Sequence, residues 1–190
     1  EILYPPVGDE DNIYVNSSLR IFTLARRDGE IDKVANLAFP VQNGPTLLGK
    51  FAVFGSLNGK AFAHHVDDGY KKWVYGLKAP ITTRPVAENN QLFIADAAGN
   101  FAMIETQNRE LRWRGSTFGP ITANPVLDRA FIVFASEDQS LYCYVATTGR
   151  ERWERFRSEV PLTETPTVID GVIYLPEPGI GLTAINADTG

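Results

Sequence analysis

Across residues 85–115, apolar and polar positions alternate in four short bursts. Val86 leads the first, Gln91–Ala95 forms the second, Asn100–Glu105 the third, and Leu111–Gly115, centred on Trp113, the fourth. Each is rich in Val, Ile, Phe, Tyr or Leu and is bounded by turn formers, which predicts strands. Asp96-Ala97-Ala98-Gly99 suits a hairpin loop, as do Ser56-Leu57-Asn58-Gly59 and Ser136-Glu137-Asp138-Gln139 in the neighbouring stretches. No window sustains an apolar period of 3.6 residues, so almost no helix is predicted.

The pattern recurs at a fixed step. Trp73, Trp113 and Trp153 are 40 residues apart, and Pro45, Pro85, Pro125 and Pro166 follow at 40, 40 and 41. Pro40, Pro80, Pro120 and Pro161 keep the same step. Gly29, Gly69, Gly149 and Gly190 fall in one register, with Arg109 in the slot between. A period near 40 marks a repeat architecture. The units cover about 1–40, 41–80, 81–120, 121–160 and an incomplete 161–190, and form one array. A lone four-stranded sheet cannot bury both faces, whereas sheets stacked around an axis can. The predicted fold is an all-β propeller of four-stranded antiparallel blades, with about four and three-quarter blades in the chain.

Unit one carries strand candidates at Asn12–Val15 and Arg20–Leu24 but has Lys33 in the tryptophan column. Glu1 to Tyr4 are in register with a loop, and unit five stops before a fourth strand. The expectation is a segment of a larger ring, completed by further blades or by another chain.

Net charge is −5 with acids and bases interspersed, and no basic block is present, which argues against nucleic acid as a partner. No apolar run approaches the roughly 18 residues that span a bilayer, and no leader pattern is visible at the start. The single cysteine, Cys143, lies in a third strand and reads as a small buried residue. His64 and His65 are the only histidines. Neighbours on a strand face opposite ways, so they cannot share a metal. His64 reads as a packing residue and His65 as a turn hydrogen-bonder. No zinc spacing exists.

The residues before the opening prolines, Gly44, Arg84, Asn124 and Thr165, lead into innermost strands at the mouth of a central channel. Arg84 and Asn124, with Glu164 and Thr165 nearby, suit either an anion or carboxylate site or an ordinary solvated rim. Phe118, Phe156, Tyr70 and Tyr75 flank strand ends and suit either a docking patch or packing between blades. No catalytic, cofactor-binding or metal-ligating residue is assigned.

Thr165-Pro166-Thr167-Val168-Ile169-Asp170-Gly171-Val172-Ile173-Tyr174, Leu182-Thr183-Ala184-Ile185-Asn186-Ala187-Asp188-Thr189-Gly190 and Thr148-Gly149-Arg150-Glu151-Arg152-Trp153 closely resemble the repeat of the quinoprotein-like (PQQ-repeat) β-propellers. The resemblance covers essentially the whole chain. It implies a ring of eight blades, with Trp73, Trp113 and Trp153 stacking on turn glycines such as Gly69 and Gly149 of neighbouring blades. Joints at Lys33 and Arg109 should then be weaker. The family includes calcium- and quinone-dependent dehydrogenases, BamB-like non-catalytic scaffolds and extracytoplasmic sensor domains. The chain lacks the vicinal cysteines and long insertions of the dehydrogenases. The resemblance therefore implies a non-catalytic, protein-binding propeller outside the cytoplasm, with no cofactor. A ligand-sensing or accessory domain of a membrane-associated protein is the alternative, and a dehydrogenase fragment is third.

Overall fold

In the computed structural model, which describes residues 4–190, every regular element is a strand, so the predicted lack of helix holds among the described residues. Glu1 to Leu3, on which part of the loop reading falls, lie outside the described residues. Blade one consists of β1 (Val7–Gly8), β2 (Asn12–Asn16), β3 (Arg20–Ala25) and β4 (Ile31–Asn36). Blade two is β5 (Thr46–Leu48), β6 (Phe51–Gly55), β7 (Lys60–His65) and β8 (Lys71–Gly76). Blade three is β9 (Val86–Glu88), β10 (Gln91–Ala95), β11 (Asn100–Glu105) and β12 (Glu110–Ser116). Blade four is β13 (Val126–Asp128), β14 (Phe131–Ser136), β15 (Ser140–Val145) and β16 (Phe156–Arg157), and blade five is β17 (Thr167–Ile169), β18 (Val172–Glu177) and β19 (Gly181–Asn186). Each sheet is an antiparallel meander in sequence order. First strands touch one another from blade to blade, which sets them innermost.

Strand alternation supplies the blade-to-blade cores. On β6, Ala52 and Phe54 join Tyr14 and Ile21 of blade one, while Val53 joins Leu92 and Ile94 of blade three. On β10, Phe93 and Ala95 turn the other way, to Ile132 and Phe134 of blade four. Val133 and Ala135 then meet Ile173 and Leu175 of blade five. A period of two thus gives the second strands of blades two to four two apolar faces, each buried against a different neighbour.

In the first three blades the third and fourth strands pair through a bulge, at Thr23/Leu24, Ala63/His64 and Met103/Ile104. The extra residue brings Lys33, Trp73 and Trp113 opposite the third strand just past each bulge. Blade four departs from this. Tyr144 pairs with Glu151 and Leu141 with Phe156, so between these pairs four residues on the fourth-strand side oppose two of β15. The step of 41 between Pro125 and Pro166 is absorbed here. Trp153 therefore sits in an irregular stretch rather than in a strand, and unit four is less regular than expected.

Each joint uses the same two columns differently. The Trp113 indole N–H donates to Ala146 O at 2.8 Å, and that of Trp153 donates to Ala187 O at 3.0 Å. Both rings lie against a turn glycine: a Cβ on Gly149 would stand 2.5 Å from Trp113 Cδ2, and one on Gly190 2.8 Å from Trp153 Cδ2. Gly69 does not receive an indole, contrary to expectation: each blade presents its column residue to the next, blade one carries Lys33 there, and the atoms nearest a Cβ on Gly69 belong to Ala35 and His64. The Lys33 ammonium donates to Val66 O at 3.4 Å and to Asp67 O. It thus reaches the carbonyl column that the indoles reach. At the second joint Arg109 holds the glycine slot at φ 62°, and a crevice of about 40 Å³ remains among Trp73, Ile104, Thr106 and Arg109.

The second proline series also has a physical role. Pro40, Pro80 and Pro120 carbonyls accept from the hairpin N–H groups of Leu57, Ala97 and Glu137. Acidic side chains reinforce these ties. Asp96, fully buried, accepts from Ala79 N at 3.1 Å as well as from Ala98 and Asn100 of its own hairpin. Asp138 accepts from Phe118 N at 2.8 Å, and Glu177 from the Ser158 hydroxyl.

Candidate binding face

The connections between blades, the hairpins joining second to third strands and the starts of the first strands all lie at one end of the blades, by the antiparallel order. Two arrangements stand out there.

The first is the residue set predicted at the channel mouth. Arg84 N donates to Asn124 Oδ1 at 2.8 Å, and Asn124 N donates to Thr165 Oγ1 at 3.1 Å. The structure thus brings three of the four residues into one relay that steps from blade to blade. Glu164 is exposed and takes no part in it. Arg84 is half-buried, and its Nε donates to Thr46 Oγ1 at 3.2 Å. Burial pulls its pKa below the ordinary value, although a guanidinium stays cationic near neutral pH. Arg84 and Asn124 line an open recess of about 290 Å³ with Thr46, Pro85, Val86 and Pro125.

The second is centred on Phe118, which is 81% exposed. Its connection is held firmly: Phe118 N is bound by Asp138, and the Thr117 hydroxyl donates to Gly119 O at 2.6 Å. The Arg155 guanidinium stacks 4.8 Å from the Phe118 ring and 5.7 Å from the Tyr142 ring. The Tyr142 hydroxyl donates to Asp138 Oδ2 at 2.6 Å, and burial, then the Asp138 carboxylate, raises its pKa. Asp138 Oδ1 and Arg155 Nε are buried without a partner. Sequence reasoning placed Phe118 among four aromatics and missed Arg155, Tyr142 and Asp138, whose spacing carries no motif. Of the other three aromatics, Phe156 and Tyr75 pack into joints, while Tyr70 is half-exposed and stacks on His65.

The remaining candidates have structural surroundings. His64 is buried and its Nε2 has no partner; burial, then the Lys33 ammonium and His65, holds its pKa below the usual value. His65 Nδ1 accepts from Asp68 N at 3.2 Å, the turn bond expected of it. Cys143 is buried, and burial pushes its thiol up to about 12. Among the described residues no three His, Cys, Asp or Glu side chains converge as metal ligands. No helix among them is long and apolar enough to cross a membrane.

A family model described as outer membrane protein assembly factor BamB matches residues 58–190. No curated protein matches the chain. Solved structures that superpose on it include BamB from Moraxella catarrhalis, at a TM-score of 0.82 and 21% identity over 100% of this chain and 59% of that one. The computationally designed Ika8 protein superposes at 0.77 and 10%, over 97% and 55% of the two chains. Quinohemoprotein alcohol dehydrogenase from Comamonas testosteroni superposes at 0.81 and 14%, over 100% and 42%. The chain thus spans less than two thirds of each, and at these identities the likeness is one of fold alone.

Proposed function

Because this chain belongs to the outer membrane protein assembly factor BamB family, we propose that it is a non-catalytic platform for binding another protein, working outside the cytoplasm. The observation that carries this is Phe118. Its large apolar ring is 81% exposed on a connection where the other blades carry Ala38, Lys78 and Glu159. This ring is also pre-organised, since Asp138 holds its backbone and Arg155 backs its face. Rigid aromatics beside arginine are the residues that dominate binding energy at protein interfaces. The dehydrogenase likeness supports the fold only.

A photo-crosslinking amino acid at position 118, introduced in the source cells, tests the reading. We expect one dominant protein adduct, absent when the same group replaces Tyr70 at the opposite end of blade two. With that partner purified, Phe118→Ser weakens binding about tenfold or more while leaving the unfolding midpoint unchanged. Equal, diffuse labelling from both positions would refute the platform.

A further inference from the structure

We propose that the recess beside Arg84 is a second, separate binding site, one that takes a single carboxylate from an acidic peptide. Asn124 Oδ1 is occupied by Arg84 N, and Thr46 Oγ1 both accepts from Arg84 Nε and donates to Pro85 O at 2.5 Å. The side-chain hydrogens left unpaired on the recess are those of the two terminal nitrogens of Arg84 and of the amide nitrogen of Asn124. No carboxylate pairs with Arg84 among the described residues. A half-buried cation without a counter-ion is a loss that an arriving anion recovers.

The guanidinium fork matches the two oxygens of a carboxylate, and the bond from Nε to Thr46 orients that fork. The walls are Pro85, Val86, Ala87 and Pro125, which suit the carbon skeleton of a peptide better than a water-clad inorganic ion. The site occurs once. The same column holds Gly44, Asn124 and Thr165 in other blades, so only blade three presents a charge. The donor set stands by itself; only the peptide origin of the carboxylate rests on the protein-binding reading.

The test is an NMR titration of the whole chain at low salt, following Arg84 Nε–H and the Asn124 side-chain amide. Three probes are used: acetate, the blocked tripeptide Ala-Glu-Pro, and its Ala-Gln-Pro counterpart. The Glu peptide should saturate both signals and bind about tenfold more tightly than the Gln peptide, as a charge-assisted bidentate pair requires. Added salt should weaken it. Arg84→Gln should remove the difference between the peptides while shifts distant from the recess stay in place, which shows the variant folded. Phe118→Ser should leave the titration unchanged, so failure of the Phe118 adduct and failure of this site are separate results. Equal affinity for the Glu and Gln peptides, or an unaltered titration in Arg84→Gln, overturns the site. Acetate binding as tightly as the Glu peptide overturns its assignment to a peptide.

Discussion

Replacing Gly149 by alanine should cost far more than the same change at Gly69, although both turns are alike in backbone. Gly149 has φ 68° and Gly69 φ 74°, so each alanine forces an L side chain into the left-handed region at about 1 kcal/mol. The difference lies in what the new methyl meets. At Gly69 the nearest atoms are 3.9 Å away, an ordinary contact. At Gly149 three ring atoms of Trp113 stand at 2.5, 2.6 and 2.9 Å. The indole must retreat by about 1 Å to regain normal carbon contact. That retreat breaks the 2.8 Å bond to Ala146 O, worth about 1 kcal/mol, and opens a packing gap of similar cost. Gly149→Ala should therefore lose about 3 kcal/mol and Gly69→Ala about 1 kcal/mol. Urea unfolding of both variants measures the two losses. A third measurement isolates the indole: with Trp113 already changed to Ala, Gly149→Ala should cost only its backbone share. Equal losses at the two glycines, or no coupling to Trp113, would show that indole docking does not hold blade three to blade four.

Other joints give further expectations. Arg109→Gly should stabilise the chain by about 1 kcal/mol, because it relieves a φ of 62° and removes the Cβ beside Trp73; a raised urea midpoint checks it, and a lowered one contradicts it. His64 should make the first joint acid-sensitive. Its pKa is held below 6.5, so the unfolded chain takes up a proton first as pH falls through 6.5, and stability drops until the folded pKa is passed. Unfolding midpoints between about pH 7 and 5 should fall more steeply in the natural chain than in His64→Tyr, the residue blade four carries as Tyr144; parallel profiles would remove His64 from the account. Asp96→Asn should cost about 2 kcal/mol, because an amide nitrogen would face the donors that both carboxylate oxygens now serve. Its signature is faster hydrogen exchange at Ala79, and an unchanged rate there would argue against the tie.

The sequence shows most clearly what repeats. Alternation, turn residues and the step of 40 are local or periodic, so blades, hairpins and their order are legible in the sequence. What the sequence hid breaks that regularity. The proline step of 41 announces one extra residue, yet only pairing shows that the fourth strand of blade four absorbs it beside Trp153. Lys33 looked like the loss of a tryptophan, but a long ammonium reaches the same carbonyl column by a different route. Asp96 and Asp138 do similar work from positions two residues out of register, so no column contains both. The two candidate sites follow the same logic. Arg84 shares its column with Gly44, Asn124 and Thr165, and Phe118 shares its own with Ala38, Lys78 and Glu159. A column that packs between blades is kept apolar and uncharged, as the buried Ala63, Met103 and Cys143 show. A column at the strand starts or on a connection has no such duty, so its chemistry can differ from blade to blade. Blade three alone puts a cation at the axis, and the connection after it alone puts an aromatic ring into solvent. Repetition builds the scaffold, and the unrepeated residues at its loop end are where recognition belongs.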